Sequence, residues 1–185
     1  MNESSPPSDM QLPDWMPATD PVRARFSELY GELSRIAHRE LGGNARTSLD
    51  TVGLVNEAFM KLDGKGMDAS EKGPFLALAA KAMRQVLVDH VRSRLTAKRG
   101  SGARPVTLTT RLPLDEATGD IDLLDIEASL QALQQLEPRL VDVVEMRFFG
   151  GMEQAEIAAV LGVSERTVHR DWLRARAFLQ ARLER

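Results

Sequence analysis

The stretch QAEIAAVLGVSERTVHRDW, residues 154–172, decides how the C-terminal part of this chain folds. Ile157, Ala158 and Leu161 recur at helical spacing and give a first helix its inner face. Ala158 is small where two helices must cross closely. Gly162 permits the positive φ of a tight helix end, and Val163 plugs the turn. Ser164 can cap a second helix, which Val168 and Trp172 anchor inward. Glu165, Arg166, His169, Arg170, Leu173 and Arg174 are left outward. A short helix, a glycine turn and a second helix with an arginine face form a helix-turn-helix. Its first outward turns suit the major groove, where arginine bonds guanine edges and phosphates.

Upstream, the same helical periodicity continues. Pro138 opens a helix carrying Leu140, Val143, Val144 and Phe148, ended by Gly150 and Gly151. Asp125 can cap a helix with Ile126, Leu130, Leu133 and Leu136 inward. The N-terminal half holds three more helices. Val22, Phe26, Leu29, Leu33, Ile36, Ala37 and Leu41 stripe the first, which Gly42 and Gly43 stop. Asp50 or Thr51 caps the second, with Leu54, Val55, Ala58, Phe59 and Leu62 inside. Pro74 starts the third, running to about Thr96, with Phe75, Leu78, Ala79, Ala82, Val86 and Leu87 as its buried face. Its polar face carries Lys81, Arg84, Gln85, Asp89 and Arg92. No strand pattern stands out, so the expected fold is all-α.

Glycines and prolines between residues 98 and 124 break regularity, among them Gly100, Gly102, Pro105, Pro113 and Gly119. A structureless stretch of that length fits a flexible linker between two small domains better than a loop inside one. The expected organisation is a disordered tail over 1–19, a helical domain over 20–97, the linker, and a second helical domain over 125–185.

Charge sharpens this division. The chain has 185 residues and a formal net charge of -3, which gives no surplus of cations for free-standing affinity to DNA. The spread is uneven. Lys81, Arg84, Arg92, Arg94, Lys98, Arg99 and Arg104 face one acid, Asp89. The charges of the next segment are all acidic: Asp115, Glu116, Asp120, Asp122, Asp125 and Glu127. The last helix is basic again. Two basic patches around an acidic strip imply two nucleic-acid contacts with a different task between them. With no cysteine, disulfides, thiolate zinc sites and thiol nucleophiles are excluded. No apolar run approaches the roughly 20 residues that span a bilayer. His38, His90 and His169 are scattered, and neither a His-Glu-x-x-His motif nor a P-loop is present. An enzyme is therefore not expected, nor a metal or other cofactor.

Three blocks together resemble a known family. EIAAVLGVSERTV (156–168), followed by RAR (174–176), looks like the fourth domain of sigma-70 family factors. LVNEAFMKL (54–62) and FLALAAKAMRQVLVDH (75–90) look like the second. Their order and the linker match the small extracytoplasmic-function (ECF) type, over residues 20 to 185. The helix-turn-helix alone is shared by many regulators; the combination is far more specific.

The resemblance implies a promoter-specific initiation factor whose partners are RNA polymerase core (the beta-prime clamp and the beta flap) and promoter DNA, in the cytoplasm. It implies that Leu54, Asn56, Glu57, Phe59 and Met60 grip the clamp, the apolar stripe being core and the opposite face facing the partner. Lys81 and Arg92 would hold phosphates of the -10 element, and Arg84, Gln85 and Asp89 would meet its bases. The loop over 64–73 would help hold a flipped-out base. Arg166, Thr167, His169, Arg170, Leu173 and Arg174 would face the -35 duplex. The linker acids would mimic RNA phosphates near the exit path, or simply be solvated.

Two departures stand out. Asp171 falls where basic residues are common, and is expected to pair with Arg174 on the same helix. Before Leu54, where acids are usual, this chain has Asp50 followed by Thr51, Val52 and Gly53. Phosphorylation of Thr51 by a Ser/Thr kinase would restore charge there; equal core binding by Thr51→Ala and Thr51→Glu would remove that idea. An anti-sigma factor is the other regulator of this type. The competing readings are a regulator that binds DNA without polymerase, which should shift duplex DNA alone, and a scaffold protein, which leaves two arginine faces unexplained.

Overall fold

The computed structural model describes residues 21–40, 50–62, 71–98, 109–110 and 121–183. The N-terminal tail, the glycine-rich segments after the first two helices, and most of the linker fall outside the described residues. So does most of the loop expected to hold a flipped-out base.

The described chain is all-α but for one minimal strand pair. The helices are α1 (Pro21–Glu40), α2 (Thr51–Leu62), α3 (Lys72–Lys98), α4 (Leu123–Leu136), α5 (Pro138–Val144), α6 (Gln154–Leu161) and α7 (Glu165–Leu183). Two-residue strands β1 (Thr109–Thr110) and β2 (Ile121–Asp122) pair antiparallel within the linker, Thr109 opposite Asp122 and Thr110 opposite Ile121. Between α5 and Gly150 the backbone widens into a single π turn over Glu145–Phe149.

Each start follows from local chemistry. Asp50, not Thr51, caps α2: its Oδ1 accepts from the Gly53 amide at 2.7 Å. Pro138 sits at the first turn of α5, where its missing N–H costs nothing. α4 begins two residues before Asp125, because Leu123 is itself buried. That leaves Asp125 in the first turn, where the helix dipole favours it.

α2 buries the five residues its periodicity predicts. Phe26 of α1 packs on Phe59 of α2, ring centroids 4.4 Å apart, so these two helices share one aromatic centre. Two expectations fail. Leu78 of α3 and Leu136 of α4 are 38% and 67% exposed. Leu136 ends α4, where Pro138 redirects the chain. α3 buries more than one stripe: Phe75, Leu76, Ala79, Ala80, Ala82, Met83, Val86, Leu87, Val88 and Val91. A helix apolar around most of its girth lies between two partners.

The second partner of α3 is the C-terminal half. A Cβ built on Gly150, just after the π turn, comes within 3.1 Å of the Ala80 methyl. One built on Gly73 would meet Val160 of α6 at 2.8 Å. Glycine and alanine let these backbones approach closely. Lys72 at the start of α3 also spans the two halves, with its Nζ 3.0 Å from Glu32 and 4.0 Å from Glu156.

Candidate nucleic-acid interface

The helix-turn-helix is built by its caps. Glu153 and Glu156 form a capping box at α6, with the Glu153 amide donating to Glu156 Oε2 at 2.8 Å. Gly162 takes φ 64° and ψ 33°, the left-handed conformation that spares glycine a Cβ clash. The Val163 amide then closes back on the Ala158 carbonyl at 3.0 Å. Ser164 Oγ accepts from the Thr167 amide at 3.2 Å and starts α7. Gln154 Nε2 donates to the Glu165 carbonyl at 3.1 Å, tying the two helices at their entry. Val168 and Trp172 anchor α7 inward, and the Arg147 guanidinium lies 4.7 Å from the Trp172 ring centroid.

Six residues were expected outward on α7. Arg166, His169, Arg170, Leu173 and Arg174 are exposed, and Thr167 is half-buried. Arg174 pairs with Glu137, at the start of α5. Asp171 does not pair with Arg174, which corrects the expectation of a pair along α7. Its side chain is 1% exposed, turned toward α5, and its Oδ2 accepts from Arg139 Nε at 2.8 Å. The interaction crosses between helices because the position lies on the same inward side as Val168 and Trp172.

On α3, Lys81, Gln85 and Arg92 are exposed. Asp89 is paired with Lys61 of α2 at 2.8 Å. Arg84 is drawn into the C-terminal half. It pairs with Glu127 of α4, and its Nη2 lies 2.7 Å from Glu145 Oε1 on the π turn. The two carboxylates are 10% and 5% exposed in their side chains, and Arg84 17%. Burial pushes the Glu145 carboxyl above its ordinary value; Arg84 and Lys81 pull it down, and Asp142 adds to the rise. Glu127, one of the acids expected to mimic RNA phosphates or be solvated, is buried and also accepts from Gln131 Nε2 at 2.7 Å.

On α2, Leu54 and Phe59 are 0% and 1% exposed and have no surface to offer a partner. The outward face is Val52, Asn56, Glu57 and Met60, with Met60 51% exposed. Val52 joins this face, though the resemblance assigns it no role. Thr51 is half-buried at the first turn. No helix among the described residues is long and apolar enough to cross a membrane.

Comparison with known proteins gives the family. A family model described as "ECF sigma factor" matches residues 19–185. No curated protein and no solved structure matches the chain. The chain belongs to the ECF sigma factor family. That family consists of non-catalytic transcription factors that work with RNA polymerase in promoter-specific initiation.

Proposed function

We propose that this chain binds RNA polymerase core through the outward face of α2 and directs it to promoters through two helices. α7 reads the -35 element as duplex, with Arg166, Thr167, His169, Arg170, Leu173 and Arg174 toward DNA. α3 engages the -10 element through Lys81, Arg84, Gln85, Asp89 and Arg92. Residues 20–97 and 125–185 act as two units joined by the linker. The observation that carries this reading is the exposed arginine face of α7, on a helix-turn-helix capped at both ends of α6 and at the start of α7, in a chain of this family. Arginine in the major groove supplies both guanine-edge and phosphate contacts.

The α3 surface needs a further step. Arg84 is held by Glu127 and Glu145, so it meets DNA only after the C-terminal half moves off α3. Core polymerase, gripping both units in the cytoplasm, fixes their spacing and lets both promoter elements engage together. The clamp takes α2 and the flap takes the C-terminal unit. An anti-sigma factor, or a kinase acting on Thr51, would regulate the same step. Run-off transcription with purified core on a random promoter library tests the reading. Added initiation at a defined set of promoters is expected; none at any promoter removes it. The same preparation separates the runner-up, since a polymerase-independent regulator shifts duplex DNA without core.

A further inference from the structure

Asp171 is out of place by charge alone, since it sits on the helix that must approach DNA phosphates. It is nevertheless buried. Its Oδ2 is taken by Arg139 Nε at 2.8 Å. Its Oδ1 is buried with no hydrogen bond among the described residues, and Arg170 Nε stands 3.8 Å away. A buried carboxylate oxygen without a donor is costly, so Arg170 is drawn toward it. A movement of roughly 1 Å would bring that nitrogen to charge-assisted hydrogen-bond length.

Both arginines approach the carboxylate through Nε. The edge between the two Nη nitrogens of each guanidinium is then left for another partner. The side chains are 46% and 65% exposed, so those edges reach solvent. Two guanidiniums side by side repel each other, and the buried carboxylate between them offsets that repulsion. The cluster still carries one net positive charge, which suits a phosphate.

We propose that Asp171 is a positioning residue for promoter binding: it sets Arg139 of α5 beside Arg170 of α7 as a pair whose Nη edges seat one backbone phosphate of the -35 duplex. This rests on the reading of α7 as the -35 helix. The bound phosphate pulls Arg170 inward, its Nε closes on Oδ1, and the carboxylate is then fully satisfied. Arg139 is already in place and loses little freedom on binding.

The sign of one substitution tests this. If charge alone mattered, Asp171→Asn would tighten DNA binding by removing an acid near phosphates. The proposed role requires the opposite, a loss of roughly tenfold. The probe is a duplex promoter selected by the wild-type holoenzyme from a randomised library, bound to holoenzyme over a series of salt concentrations. Arg139→Lys is the second variant, and it keeps the test standing if Asp171→Asn does not fold. It retains the charge and a donor for Asp171 but lacks the Nη edge, so it should also weaken binding several-fold. The double variant should be little worse than either single one. Binding by folded Asp171→Asn that is equal to or tighter than wild type overturns the proposal, as does unchanged binding by Arg139→Lys. Arg166→Ala and Arg170→Ala run beside them as controls: if they too leave -35 binding intact, the reading of α7 itself has failed.

Discussion

Arg84, near the middle of α3, and Arg170, in the second turn of α7, belong to two basic helices, with side chains 17% and 65% exposed. Arg84 lies among Ala80, Met83 and Leu87, which are buried, and two carboxylates from the other half close over it. Arg170 follows His169 on a face that is exposed among the described residues. The same guanidinium thus holds two halves together in one helix and is left exposed in the other. The difference comes from neighbours. Small residues at 73, 80 and 150 let α3 sink against the C-terminal half, and a cation carried into such an interface must bring partners with it.

The largest expected effect is at Arg84. Arg84→Met strips the shared cation from Glu127 and Glu145 and leaves two carboxylates facing each other in the interface. The loss should be about 3 kcal/mol, the low end for a buried pair robbed of one partner, because Arg84 keeps some exposure. Urea unfolding of the intact chain measures it. A loss below about 0.5 kcal/mol, typical of surface positions, would mean the two arginines do not differ as described.

Arg170→Ala should do the reverse. Its stability change stays within about 0.5 kcal/mol, while holoenzyme affinity for a -35 duplex falls by about 1–3 kcal/mol with core binding intact. Loss of core binding would count against the division of labour between α2 and α7.

A smaller effect is expected where α7 begins. Ser164→Ala leaves the Thr167 amide without its side-chain acceptor, and about 1 kcal/mol of stability should be lost. An unchanged melting temperature would show that the cap is not what sets this helix.

The smallest effect is a pH dependence. Burial raises the Glu145 carboxyl in the folded chain, so the folded state holds that proton more tightly than the unfolded one. The stability this contributes is fully present below the ordinary glutamate value and is lost as pH rises through the raised value. Glu145→Gln removes that slope. Stability curves of the two chains should therefore converge at low pH and part as pH rises, wild type falling relative to the variant. Parallel curves in urea melts across pH would show that Glu145 does not titrate in this way.

Much of this architecture is legible in the sequence, for reasons tied to particular residues. α2 reads correctly because its buried residues, packed on α1 and α3, keep to one clean stripe from Leu54 to Leu62 and leave the opposite face outward. The helix-turn-helix reads correctly because Gly162 and Ser164 are needed by the backbone itself, and the outward arginines follow from the spacing of Val168 and Trp172. α3 reads only in part. Apolar residues face two partners there, so periodicity blurs, and Ala80 and Met83 pass unnoticed while Leu78 is misplaced inward. The captured state of Arg84 depends on Glu127 and Glu145, 43 and 61 residues away, and sequence spacing does not reveal pairings at such distance. A signal existed all the same. Glu127 lies four residues after Leu123 and Glu145 four after Val141, acids on apolar stripes, and such positions call for a buried partner. Asp171, three residues after Val168 and beside Trp172, carries the same signal.

The central claim is that α3 is covered by the C-terminal half in the free chain and must be uncovered to open a promoter. The chain has no cysteine, so a pair introduced as Gly73→Cys and Val160→Cys would be its only thiols. The Cβ at 73 would lie 2.8 Å from a Val160 methyl, which puts the two sulfurs within reach of a disulfide. Run-off transcription with core, on a promoter the reduced chain uses, should fail when the pair is oxidised and return on reduction. Equal transcription from the oxidised and reduced chains would contradict the claim.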